Sequence, residues 1–323
     1  MRPAPRATSE GAGYAALVSA ASPPTTHGAE LMPIPGGTYL LGNEDEQARP
    51  GDGENPVRPV EVAPFWMDAH AVSNARFAAF VEETEWVTVA EQYGWSFVFV
   101  GFLPDDFELT QAAAAAPWWR KVDGADWRHP EGPHSTLEGR DDHPVVHVAI
   151  LDAIAYCAWA ELRLPSEAEW EIASRGGLEQ QRFPWGAELE PDGQHMCNIW
   201  QGTFPEDNTA ADGYLGTCPV DTFSPNGYGL YNTSGNVWEW TTDRFDSAVG
   251  SENMAIRGGS YLCHESYCNR YRVAARTGNT PESSTGHQGF RCAWSPEPPA
   301  ATPPNAAATT TSSSGCCAPP RSS

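Results

Sequence analysis

The stretch LPSEAEWEIASRGG, Leu164 to Gly177, carries both ends of a helix in its own residues. Ser166 and Glu169 form a capping box, each side chain accepting the other's backbone N–H, and Gly176 supplies the left-handed residue that stops the helix. Immediately before it, PVVHVAILDAIAYCAWA (144–160) reads as a strand followed by a helix capped by Asp152. Nearer the start, MPIPGGTYLLG (32–42) alternates apolar residues between Pro35-Gly36-Gly37 and Gly42, a strand bounded by turns, and a second strand is expected over Val60 to Asp68. Ser73 caps a further helix whose Phe77, Phe80 and Val81 share one face. After Gly177 the signals change. PDG, ADG, PNG, NTSGN and RGG punctuate short aromatic segments up to Trp294. A few capped helices, short strands and much irregular chain together predict a single α+β domain.

The chain has 323 residues, 40% of them hydrophobic, with 13 tryptophans, 30 glycines and 29 prolines. That is enough for one main core, expected over residues 31–295. Residues 1–30 and 296–323 are rich in alanine, proline, serine and threonine, and both are expected to be disordered for want of apolar surface. A formal charge of −23 repels phosphate backbones and acidic lipid surfaces, so neither nucleic acid nor membrane is an expected partner. The same field leaves basic peptides free to approach; solubility alone is an equal explanation. No run nears the ~20 apolar residues of a membrane span. The N-terminal apolar stretch is broken by serine and glycine, so a cytoplasmic protein is expected, with a weak export signal as the alternative.

The chemistry concentrates in RGGSYLCHESYCNRYRVAAR, Arg257 to Arg276. Cys263 and Cys268 are five positions apart, a spacing that neither a strand nor a helix places on one face, so a joint role needs a turn between them. Two thiolates from one loop make a soft site that favours Cu(I) or zinc over hard cations, and no further cysteine or histidine motif nearby completes a zinc set. On composition alone an ordinary disulfide closing a small loop is the simpler reading. Cys197 and Cys218 read as buried thiols, and the adjacent Cys316 and Cys317 of the tail as bystanders.

This segment, continued by NRYRVAARTGNTPESSTGHQGFRCAW, resembles the C-terminal half of formylglycine-generating enzymes, the sulfatase-modifying factors, of the bacterial type. FWMDAHAVSN, RLPSEAEWE, NIWQG and NGYGLYNTSGNVWEW extend the resemblance over roughly residues 31–295. The resemblance implies a C-type-lectin-like α+β fold and a copper-dependent oxidase that uses O2 to convert the cysteine of a Cys-x-Pro-x-Arg motif in unfolded or nascent sulfatases to Cα-formylglycine. It further implies that Cys263 and Cys268 bind Cu(I), that Ser260 and Tyr267 shape the oxygen and substrate-thiol pocket, and that Trp238 walls it. A turn hydroxyl and packed aromatics are the plainer readings of those three. Two structural Ca2+ sites are also implied. One would use Asn198, Asp212 and the carbonyls of Ile199 and Tyr214; the other Asn232, Glu239 and the carbonyls of Gly235 and Val237. Asn and Asp are ordinary turn residues as well. Cys157 and Cys292 match a disulfide of secreted relatives, while Ser174 and Val273 stand where a second such pair would be; this fits a reducing compartment in which Cys157 and Cys292 stay free.

Two other functions compete. An iron-dependent sulfoxide synthase on the same fold would need a histidine triad, and only His143 and His147 have a helical spacing. A non-catalytic C-type-lectin-like binding module would leave the cysteine pair unexplained.

Overall fold

The computed structural model describes residue 23 and residues 27–49, 51–108, 110–113, 116–246 and 251–296. The expected disorder of residues 1–22 and 297–323, and the adjacent Cys316 and Cys317 of the tail, lie outside them. Ordered packing starts before residue 31: the His27 ring lies 3.6 Å from that of Trp159, and Glu30 O accepts from Ala69 N.

The strands β1 (Leu31–Ile34), β2 (Gly37–Leu41), β3 (Arg58–Val62) and β4 (Phe65–Asp68) open the domain, and two helices, α1 (Asn74–Thr84) and α2 (Val89–Tyr93), follow. Next come β5 (Trp95–Phe99), β6 (Ala112–Ala113), β7 (Ala116–Asp123), α3 (Ile150–Trp159) and α4 (Glu167–Arg175). The last part holds β8 (Gly202–Thr203), β9 (Asp207–Asn208), β10 (Trp238–Arg244), β11 (Met254–Arg257), β12 (Arg276–Asn279), β13 (Gln288–Gly289) and β14 (Ala293–Trp294).

The two long strands expected at the N-terminus are each divided in two. β1 pairs antiparallel with β4, and β2 with β3, so the ribbon bends where Pro35-Gly36 faces Ala63-Pro64. A Cβ on Gly36 would sit 2.6 Å from Pro64 Cδ, which is why the bend takes glycine. β14 adds to the free side of β4 and closes the chain's last strand onto its first sheet. β12-β11-β10-β13 form the central sheet, antiparallel except for β10 with β13.

The helix ends follow the sequence signals at Ser73, at Ser166 with Glu169, and at Gly176, whose φ is 57°. Asp152 differs. It is the third residue of α3 and not its cap: Ala149 is the cap, and Asp152 reaches back to Ala149 N at 2.9 Å while also accepting from Trp86 Nε1 and Val89 N. The preceding strand does not form either, because His147 adopts φ 59° and breaks the extended run after Val145 N has bonded Val72 O.

The largest buried cluster joins α1 (Phe77, Phe80), α3 (Tyr156, Cys157) and β10 (Trp238, Trp240), and it continues into Cys263 and Cys268. A second packs α4 through Trp170 and Ile172 on the first sheet, and a third packs β5 and β7 against Trp200, Tyr261 and Leu262. The thiol loop therefore lies where two of these cores meet. Among the described residues no helix is long and apolar enough to cross a membrane.

Candidate active site

β11 ends at Arg257, and the chain must then turn sharply under packed groups. Gly258 and Gly259 make this turn at φ 95° and 73°; a Cβ on Gly259 would press on Tyr271 backbone at 3.0 Å, so only glycine fits there. Tyr261 N donates to Asn236 O, Cys263 N to Ser260 O at 2.9 Å, and Trp200 N to Cys263 O at 3.1 Å. His264 O then accepts from both Tyr267 N at 3.1 Å and Cys268 N at 2.7 Å, and this is the turn that brings Cys268 back to Cys263.

The two sulfurs lie 2.8 Å apart, with Cys263 2% and Cys268 1% exposed. This is longer than the ~2.05 Å of a disulfide, and both are free thiols. Among the described residues, no three His, Cys, Asp or Glu side chains converge as a metal cluster, so the pair offers two soft donors and nothing more. That donor set fits a low-coordinate soft ion and leaves a hard cation unsatisfied. The residues present therefore fit the soft metal in chemistry, with the thiols drawn together in this structure.

Ser260 is fully buried, and its Oγ accepts from Leu262 N at 3.3 Å, so it holds the turn next to Cys263. Tyr267 is half-buried between Phe204, stacked at 4.8 Å, and Trp118, edge-on at 4.5 Å. Trp238 is 1% exposed within the cluster that contains both thiols. Trp118 and Phe204 had no sequence signal, and Trp200 had one only as part of NIWQG, with no role attached. Their contacts with the loop span long separations, and an aromatic in a tryptophan-rich chain does not announce its neighbour.

Asn198, 1% exposed, donates to Gly216 O, but its Oδ1 is buried without a protein partner. Asp212 accepts from Ile199 N at 3.0 Å on one oxygen and from Tyr214 N at 3.1 Å on the other. Burial holds the Asp212 carboxyl above its ordinary range, against the pull of those two N–H groups. An orphaned amide oxygen and a carboxylate that forms no ion pair among the described residues are groups that a hard cation would satisfy. At the second predicted set, Asn232 Oδ1 is likewise buried and unpartnered. Glu239 Oε2 is filled by Trp170 Nε1 and Arg291 Nε, both at 2.7 Å, while Oε1 accepts only from Arg291 Nη2 at 2.8 Å and keeps a lone pair free of these bonds. Gly235 N donates to Gly258 O and Val237 is buried.

His143 and His147 precede α3 on irregular chain and not on a helix. His147 has both ring nitrogens occupied, by Ser96 Oγ and Pro130 O, each at 2.8 Å, and burial pushes it down to about 4. His143 is held by Thr217 Oγ1. Neither offers an iron site in this arrangement. The sulfurs of Cys157 and Cys292 are 3.6 Å apart, buried and unbonded; burial raises Cys292 well above its usual range. Cys197 and Cys218 are buried thiols too, the latter pushed up to about 12.

The sulfatase-modifying factor enzyme 1-like domain model matches residues 18–296. A formylglycine-generating enzyme of Thermomonospora curvata is 56% identical over 283 residues, covering 82% of this chain and 93% of its own. That of Bos taurus is 53% identical over 286 residues, covering 84% and 75%. Among solved structures, PvdO from Pseudomonas aeruginosa aligns with a TM-score of 0.59 at 23% identity, covering 82% of this chain and 94% of that one, and so shares the fold. With the domain model spanning its whole core and relatives above half identity over most of their length, the chain belongs to the formylglycine-generating enzyme family.

Proposed function

We propose that this enzyme of the formylglycine-generating family is a copper-dependent oxidase that converts the cysteine of a Cys-x-Pro-x-Arg motif in unfolded or nascent sulfatases to Cα-formylglycine with O2. The observation that supports it most is the convergence of Cys263 and Cys268, two buried thiols 2.8 Å apart on one tight loop. When bound, copper would supply soft coordination of the target thiol and activation of O2. The chain's own part is to bind, orient and keep dry. Cys263 and Cys268 would hold the ion through their sulfurs, leaving it open to the thiol of the target cysteine. Buried Trp238 and Tyr271 exclude water beside the thiols. Tyr267, braced between Phe204 and Trp118, borders the site on the side of Cys268.

The net change at the target is loss of one sulfur and two hydrogens and gain of one oxygen. The decisive experiment mixes Cu(I)-loaded protein, O2 and a Cys-x-Pro-x-Arg peptide and follows the peptide by mass spectrometry. That mass change, abolished by a copper chelator, is the expected result. An unchanged peptide, with copper bound and the peptide associated, overturns the reading. We also place two structural Ca2+ ions in the reading. The first sits at Asn198, Asp212 and the Ile199 and Tyr214 carbonyls, the second at Asn232, Glu239 and the Gly235 and Val237 carbonyls. The unpartnered Asn198 and Asn232 oxygens support them. A cytoplasmic site of action is in keeping with free Cys157 and Cys292.

A further inference from the structure

The segment from Gly42 to Pro56 carries no catalytic group, yet it is tied more heavily to the chain following Cys268 than to anything near it in sequence. Asp52 pairs with Arg270, with Arg270 Nε 2.6 Å from Oδ2. Glu54 takes Arg272 on both oxygens, at 2.6 and 2.8 Å, and Arg276 Nη1 donates to Asp52 O at 2.9 Å. Asp45 lies 3.3 Å from Arg182. The strap is also closed on itself, with Arg49 N donating to Glu54 Oε1 at 3.1 Å and Asp52 N to Arg49 O at 3.2 Å.

From this anchored strap, one side chain reaches the thiol loop. Arg49 Nη2 donates to Tyr267 O and Arg49 Nε to Asn269 Oδ1, both at 2.9 Å, so the guanidinium brackets Cys268 from the residue before to the residue after. The Tyr267–Cys268 peptide is thereby held at both ends: its N–H by His264 O at 2.7 Å, its C=O by Arg49. A peptide plane fixed at both polar atoms sets the backbone angles on either side of it, and with them the direction in which the Cys268 Cβ and sulfur point. Cys263 needs no such help, since Ser260 O and Trp200 N hold its own peptide groups.

We propose that Arg49 is a positioning residue for Cys268, aiming its sulfur at Cys263 through the Tyr267–Cys268 peptide. The role rests on the two-thiol reading above, but its effect on the thiol can be read without turnover. The test treats reduced, metal-free, full-length protein with iodoacetamide under native conditions and measures the alkylation rate of each cysteine by peptide mass mapping. In Arg49→Ala, Cys268 is expected to react roughly tenfold faster than in the wild type, because one charge-assisted tie on its buried peptide is gone, while Cys157 and Cys292 keep their rates. Arg49→Lys, which retains the charge and can reach one acceptor, is expected to fall between the two, and it carries the comparison alone if the alanine variant does not accumulate as folded protein. Equal Cys268 rates in variant and wild type, or a uniform acceleration of every buried cysteine, would overturn the proposal, since a merely structural strap loosens all sites alike. A Cys268-selective acceleration in a protein whose wild type leaves the peptide unoxidised would retire the oxidase and leave the positioning role standing.

Discussion

Replacing Glu239 by glutamine tests how far the buried Glu239–Arg291 pair holds the domain together. Glu239 is 1% exposed and Arg291 0%; the carboxylate takes Arg291 through both oxygens and Trp170 Nε1 from α4, while Arg291 also donates to Asp68 O, Ala69 O and Tyr231 O. The node therefore links β10, α4, the end of β4 and the segment before Asn232. Glutamine keeps the shape but removes the charge, and its NH2 must face either Arg291 or Trp170, both donors. Removing one partner of a buried pair costs about 3–5 kcal/mol, because the remaining guanidinium is left without a counter-charge. At about 2–4 °C per kcal/mol for a domain of this size, the thermal midpoint should fall by roughly 6–20 °C. Differential scanning calorimetry in EGTA, which removes any Ca2+ from Glu239, of the wild type, Glu239→Gln, Arg291→Met and the double variant measures it, and the double variant should be more stable than the sum of the two single losses implies. A fall of less than about 2 °C in Glu239→Gln would refute the assignment of this pair as the strut, given the range expected for a broken buried pair.

Cys263→Ala and Cys268→Ala each remove one buried sulfur, a loss of about 1–2 kcal/mol, so the fold should persist with a midpoint lowered by only a few degrees, as far-UV circular dichroism melts will show, while peptide conversion disappears; surviving conversion in either variant would end the two-thiol mechanism. Burial depresses His147 to about 4 and His287 to about 3, against 6.5 when unfolded, so the folded state resists a proton that the unfolded chain accepts. Their stability contribution is full above 6.5 and is lost as pH falls from 6.5 toward 4; melts across that window should decline less steeply in His147→Gln, and identical slopes would contradict the assignment. If Asn198 and Asp212 hold Ca2+, chelation with EGTA lowers the melting midpoint of the wild type and lowers that of Asp212→Asn by less, since only the site at Asn232 and Glu239 remains in the variant. An EGTA-insensitive wild type would remove both calcium sites from the proposal.

Some of the site was legible because the signal is local. The capping box of Ser166 and Glu169 and the glycine stop at Gly176 appear as written, since each rests on a bond between residues three positions apart. So is the turn between Cys263 and Cys268, which the five-residue spacing demands and His264 O provides. Asp152 reads as a cap in sequence yet lies three residues past it, because a carboxylate at the third position of a helix reaches back to the cap's N–H. The single strands expected over residues 32–42 and 60–68 split because two sheets claim their halves, a choice that depends on partners elsewhere in the chain.

The sequence by itself determined the class of fold, both ends of the helix Glu167–Arg175, the pairing of two cysteines across a turn and the family to which those motifs are similar, all of which reside in residue types at short spacing. Only the tertiary structure decided how close the thiols come, that Phe204 and Trp118 brace Tyr267, that Glu239 is tied to Arg291, and that Arg49 grips the peptide before Cys268 from 218 residues away. Contacts of that range form when separate segments pack, and their geometry follows from how packed surfaces meet and from the need to pair every buried charge, neither of which is written in the neighbouring residues.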